Sequence, residues 1–282
     1  MYRFLKLFGR LLALLPVTVI EKLGWLLAIL FFDIMRLRRK VVVRNLTIAF
    51  GEEMSQEQRV RLGRRSIYHF ILSIFEFFRS VRLKIDRDIT VIGKENVDQA
   101  LEKRKGVYIL CFHMGNWEAM GAKYSNEIAP SPIIVKKVGT GGVSRFVDEL
   151  RDKNNFQTVK RTKKGDGVRA IKEILGRNEM VGFVIDQARP ASPKLPFFGK
   201  PAKTNTSFAA IWRQHPAPIV PSFILRNGLD SHVLHIMPEL QIAVSDDAEE
   251  DVAKHSAYFN NVVEGIVRRC PEQYFWLHNR WK

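Results

Sequence analysis

Residues 107–118 read VYILCFHMGNWE. The first six are apolar without interruption, the pattern of a strand covered on both faces, and Asn116 then offers a cap for a following helix. Four more strand candidates occur at Pro132–Val138, Met180–Ile185, Pro218–Leu225 and His232–Met237. Between the first three lie helical patterns at about 117–127, 143–153 and 167–175. This alternation predicts an α/β fold with a mostly parallel central sheet flanked by helices. Upstream, Ser55 can cap a helix running to about Arg79, with Glu57 and Gln58 in its first turn and Ile67, Phe70, Ile71, Ile74, Phe75 and Phe78 at helical spacing. That stripe has two readings, core or lipid-facing groove. Downstream, SDDAEED at 245–251 supplies a cap and an acidic first turn for a helix ending near Arg268 and Arg269, and reads as a helix start, not a metal site.

The chain carries 45 Lys plus Arg against 29 Asp plus Glu, a formal net charge of +16, which calls for an anionic partner. Hydrophobic residues make up 46% of it, too many for disorder and too few for a multi-span membrane protein. Cys111 and Cys270 are its only cysteines and are expected as free thiols in a reducing compartment. The N-terminus holds apolar stretches at 11–20 and 23–32 separated by Glu21 and Lys22. As one helix they would be about 33 Å long, enough to cross a bilayer, but two mid-span charges oppose that. Basic residues flank both ends: Arg3, Lys6 and Arg10 on one side, Arg36, Arg38, Arg39, Lys40 and Arg44 on the other. The expectation is therefore a membrane anchor over residues 1–50, a helix or helical hairpin lying in an anionic interface, followed by the α/β domain over 51–282.

Ligands of open α/β sheets bind at the carboxyl ends of the strands, so His113 stands where a catalytic group is expected. Gly115 allows a tight turn. Glu118, in the first turn of the next helix, is close enough in sequence to fold back on the His113 ring, fix its tautomer and leave the other nitrogen free to take a proton from a hydroxyl. No G-x-S-x-G elbow is present, and neither cysteine sits in a nucleophile motif. His232 and His235, read as sharing one face of a strand, lack a third ligand, and no metal is expected.

The H-x4-E of HMGNWE resembles the first block of the bacterial lipid A biosynthesis acyltransferases, late lauroyl and myristoyl transferases within a wider H-x4-D/E glycerolipid acyltransferase superfamily. Further segments resemble that family in order along nearly the whole chain: VVVRNLTIAF at 41–50, VGFVIDQ at 181–187, PFFGKPA at 196–202 and PEQYFWLHNRWK at 271–282. The resemblance implies transfer of a fatty acyl chain from an acyl carrier protein thioester to a hydroxyl of a lipid A precursor, without cofactor or metal, at the cytoplasmic face of the cell inner membrane. His113 would deprotonate the acceptor and Glu118 would orient and charge-stabilise the imidazole. Arg151 matches a family position where an arginine contributes to activity, and Arg189 is a second cationic candidate beside the oxyanion. Asn116, Asp186, Gln187 and Arg189 are the substrate-binding candidates. Asp186 and Gln187 are open to contacting the acceptor or bracing the His113 loop, and equally to simple structural capping. Lys136, Lys137, Lys160, Arg161, Lys163 and Lys164 can steer an acidic carrier protein or a phosphorylated lipid. A basic nucleic-acid-binding protein is the non-enzymatic rival, but no binding motif with interleaved aromatic and basic residues appears. Other membrane acceptors, such as an ornithine lipid, a glycerolipid or a mannoside, form the second alternative; the absence of a Pro-Glu-Gly block disfavours glycerol phosphate.

Overall fold

The computed structural model describes residues 1–135, 139–160, 165–188 and 190–282. Four helices come first: α1 (Tyr2–Leu14), α2 (Val17–Ile29), α3 (Arg39–Phe50) and α4 (Gln56–Arg79). There follow β1 (Asp88–Ile92), α5 (Lys94–Glu102), β2 (Val107–Cys111), α6 (Trp117–Lys123), β3 (Ile133–Val135), α7 (Gly141–Lys153), β4 (Thr158–Lys160), α8 (Asp166–Gly176) and β5 (Met180–Val184). The chain closes with β6 (Lys194–Phe197), β7 (Lys200–Lys203), α9 (Ser207–Gln214), β8 (Ile219–Gly228), β9 (Ser231–Ile236) and α10 (Ala248–Val267).

Seven strands form one sheet in the order β1-β9-β8-β2-β5-β3-β4, and β6 and β7 form a separate hairpin. All neighbours in the sheet are parallel except β8 and β9. The expected α/β architecture is therefore present, with β2 near the middle of the sheet. Its uninterrupted apolar sequence has a direct cause. Tyr108, Leu110 and Phe112 pack into the core on one face, and Val107, Ile109 and Cys111 into the core on the other. His232 and His235 correct the sequence reading: three residues apart in β9, they lie on opposite faces, His232 buried near Glu76 and His235 stacked on Phe223.

Helix starts follow local chemistry. Ser55 and Gln58 form a reciprocal capping box on α4, and Asp247 accepts from the amides of Glu249 and Glu250 at the start of α10. The N-terminal pair breaks at Leu15-Pro16, not at Glu21-Lys22, because proline cannot continue α1 but can precede α2. Among the described residues no helix is long and apolar enough to cross a membrane. Residues 1–50 also pack against the rest of the chain. Leu12, Ile20, Ala28, Phe32, Val42, Leu46 and Phe50 belong to the same continuous core as β2 and the C-terminal segment. The close approach needs Gly63 on α4, where a Cβ would meet the Phe32 ring at 2.7 Å. The α4 stripe has both fates: Ile67, Ile71 and Phe75 are core, whereas Ile74 remains 39% exposed.

Since Phe32 is fully buried at this junction, Phe32→Ala should lower the unfolding free energy of the whole chain by about 3–5 kcal/mol within a single transition. Denaturant unfolding followed by two probes checks this. An unchanged main transition would make the N-terminal helices a separate unit.

Candidate active site

Strands β2 and β5 pair with Cys111 opposite Val184, and the Ile185 amide continues the ladder to the Cys111 carbonyl at 3.1 Å. The next residues out of each strand are His113 and Asp186. The Asp186 carboxylate takes two bonds from one residue: Oδ2 accepts from the His113 backbone amide at 3.0 Å, and Oδ1 lies 2.7 Å from Nδ1 of the ring. Asp186 is buried and its pKa is nevertheless below the usual carboxylate range; burial raises it, but the His113 ring and Arg280 outweigh that cost. A carboxylate on Nδ1 leaves Nε2 as the proton-accepting nitrogen. The Gln187 amide lies 3.4 and 3.3 Å from the two ring nitrogens, so it rests against the ring without selecting either. Trp117 meets the imidazole edge-on at 4.9 Å, Phe275 lies at 5.7 Å, and Phe70 contacts both aromatics, so the ring stands in an apolar rim.

Glu118 corrects the sequence expectation. It occupies the first turn of α6 as foreseen, but its carboxylate faces α7 and forms a two-pronged pair with Arg151, Nε to Oε2 at 2.9 Å and Nη2 to Oε1 at 2.5 Å. Burial lowers the pKa of Arg151, and its bonds to Glu118 more than reverse that. The group on the His113 ring is Asp186. Of the readings of Asp186, bracing of the His113 loop matches its two bonds to His113. Asn116 is buried; its oxygen caps α6 at the Ala119 amide, 3.1 Å away, and its nitrogen donates to Glu76 at 2.7 Å, so its polar atoms are engaged within the protein. Arg189, with Lys136, Lys137, Arg161, Lys163 and Lys164, lies outside the described residues, as does the side chain of Lys160. Cys111 is buried and its thiol pushed up to about 12, which keeps it protonated.

Two supports escaped the sequence reading. One is a buried ionic cluster beneath the turn. Glu76 on α4 accepts from Arg226 on β8 at 2.6 and 3.2 Å, and from the Asp230 amide at 2.9 Å. Ser73 accepts from Arg226 and donates to the Gly115 carbonyl, each at 3.0 Å. Gly115 has φ +57° and an added Cβ would lie 2.1 Å from the Ile224 carbonyl oxygen, so glycine is required there. The only signal of this cluster in sequence is one carboxylate set among Phe75, Phe77 and Phe78.

The other support is the C-terminal segment, quoted above only as a resemblance. Phe275 donates to the His113 carbonyl and Gln273 accepts from the Gly115 amide, both at 3.0 Å. Tyr274 between them is buried, and its hydroxyl pKa is raised, by burial first and then by the charge of Asp186. The segment is itself held by Asn45, which donates to the carbonyls of Trp276 and His278 at 2.8 Å each, and by the Ala188 amide on the His278 ring at 3.3 Å. Three of the sequence blocks thus converge on one imidazole.

The chain matches the family described as "Bacterial lipid A biosynthesis acyltransferase" over residues 3–282. It is 27% identical to the lipid A biosynthesis lauroyltransferase of Escherichia coli K12 over 95% of its own length and 87% of the relative's. It is 22% identical to the lipid A biosynthesis palmitoleoyltransferase of the same organism over 95% and 86%. A lipid A biosynthesis acyltransferase of Shigella flexneri matches to the same extent as the latter, 22% over 277 residues.

The ionic cluster makes a pH prediction. Burial, then Arg226 and Arg65, lower the pKa of His69 to about 3. The unfolded chain therefore takes up a proton below about pH 6.5 that the folded one refuses, and stability present above that pH is lost as pH falls toward 3. Between pH 6.5 and the carboxylate range, His69→Gln should flatten the stability slope by up to about 1.4 kcal/mol per pH unit. Urea unfolding across this window measures it; an unchanged slope would mean that His69 titrates normally.

Proposed function

The chain belongs to the bacterial lipid A biosynthesis acyltransferase family and is an acyltransferase, and from that premise we propose that it moves a fatty acyl chain from an acyl carrier protein thioester to a hydroxyl of a lipid A precursor, using His113 as general base. The observation that carries this reading is the Asp186–Nδ1 contact at 2.7 Å beneath an aromatic rim. With Nδ1–H donated to Asp186, Nε2 takes the proton of the acceptor hydroxyl as its oxygen attacks the thioester carbonyl carbon. The carbonyl π electrons move onto oxygen. Collapse of the tetrahedral intermediate reforms the carbonyl, breaks the carbon–sulfur bond and releases the carrier's thiolate, which recovers the proton from Nε2. Asp186 stabilises the imidazolium in between without itself being protonated. The Glu118–Arg151 pair ties α6 to α7 beside the ring and makes both residues positioning groups. Phe70, Trp117 and Phe275 suit an acyl chain and keep water from the thioester.

A place at the cytoplasmic face of the inner membrane fits the outer surface of α1. Phe4, Leu7, Leu11 and Leu14 recur on one helical side and are 54–65% exposed, while Gly9 and Leu12 face the core. Such a helix lies in an interface without spanning it.

With acyl carrier protein thioester and lipid A precursor in mixed micelles, His113→Ala should reduce transfer by at least about a thousandfold, and Asp186→Asn by roughly a thousandfold or more, with unfolding midpoints close to wild type for His113→Ala. Normal turnover by His113→Ala would end this mechanism.

A further inference from the structure

A groove separate from His113 lies at the N-terminal end of α3, has a volume of about 770 Å³, and is lined by Arg36, Arg38, Arg39, Lys40 and Arg44. Val41, Val43 and Val60 line it as well, with Thr47 and Gln56. Among the described residues no acidic side chain lines it. The nearby carboxylate, Asp33, is occupied twice, by Arg39 at 2.8 Å and by Arg64 at 2.5 Å. Arg36, Arg38 and Lys40 are exposed and, among the described residues, have no ion-pair partner.

We propose that this groove binds a phosphate group of the phosphorylated glycolipid acceptor, an inference that rests on the lipid A acyltransferase reading. Three features select that ligand. First, clustered guanidinium and ammonium groups without carboxylates are a phosphate site by charge and geometry. Second, the turn bearing the cations alternates them with apolar side chains open to solvent: Ile34 is 69% exposed, Met35 53% and Leu37 50%. Arg36 and Arg38 both have left-handed backbones, φ +54° and +56°, which L-residues adopt at a cost, in the turn that precedes α3. An exposed apolar turn interleaved with cations fits the phosphate plane of a membrane, and an acidic protein surface would not use the apolar half. Third, the groove is joined to the catalytic ring. Arg44 bonds Asn279, Asn45 holds the neighbouring carbonyls of Trp276 and His278, and His278 receives the Ala188 amide beside Gln187, which touches His113. Bulk anionic lipid needs surface charge but no concave site tied to the C-terminal segment. A phosphorylated acceptor that must present one hydroxyl to Nε2 needs both.

The test is the variant Arg36→Ala/Arg38→Ala/Lys40→Ala, which alters only exposed side chains. Flotation is measured on neutral phosphatidylcholine vesicles doped with a phosphorylated lipid A precursor, its dephosphorylated form, or phosphatidylglycerol at equal charge density. Wild type should bind the phosphorylated precursor roughly tenfold or more tightly than phosphatidylglycerol, and the variant should lose that margin. In transfer assays in neutral micelles, the variant's KM should rise roughly tenfold for the phosphorylated acceptor and less than about twofold for the dephosphorylated one. Equal wild-type binding to phosphatidylglycerol and precursor, or equal effects on both acceptors, would overturn the site in favour of general surface charge. An unaltered variant would overturn it outright. The flotation arm requires no turnover, so selective binding without transfer would count against the assigned reaction and not against the groove.

Discussion

The site depends on the pairing of β2 with β5. That ladder brings together residues 73 positions apart in the chain and puts a buried carboxylate under the ring of His113. Asp186 bonds the backbone amide of His113 as well as Nδ1, so one side chain sets the position of the residue and the tautomer of its ring. A base on a flexible loop would have to organise itself in each turnover. Here the two strand ends, which are core on both faces, hold it in advance.

Buried charge is the cost of this arrangement, and the carboxylates near His113 are each matched. Asp186 is offset by His113 and Arg280, Glu76 by Arg226, and Glu118 by Arg151. The pairs join α4 to β8, α6 to α7, and the C-terminal segment to the end of β5. The N-terminal helices belong to the same construction, since Asn45 on α3 fastens the segment that lies against His113. The family resemblance therefore gains a physical meaning. The blocks at 41–50, 181–187 and 271–282 are far apart in the chain and are layers of one support.

Much of this was legible in the residues, and the failures have identifiable causes. A strand buried on both faces, such as β2, appears as an unbroken apolar run, and β3, β5, β8 and β9 were found from their apolar character as well. The edge strand Asp88–Ile92 carries polar residues on its open side, β4 is three residues long, and the β6–β7 hairpin contains Pro196 and Pro201, so none showed that pattern. Leucines that face a partner helix cannot be told by composition from leucines that face lipid, so the apolar stretches of residues 1–50 did not reveal that Leu12, Ile20 and Leu46 belong to the core while Leu7, Leu11 and Leu14 stay exposed. His113 was found because a strand end needs no long-range information. Its partner was misassigned to Glu118 because proximity in sequence is visible and strand pairing is not.

The central claim is that Asp186, and not Glu118, fixes the His113 ring with its proton on Nδ1. Ring nitrogen chemical shifts of selectively labelled His113, at a pH where the ring is neutral, measure this directly. The account predicts a protonated Nδ1 and an unprotonated Nε2, a state kept in Glu118→Gln and lost in Asp186→Asn. A wild-type ring protonated on Nε2, or a tautomer that responds to Glu118→Gln and ignores Asp186→Asn, would contradict it.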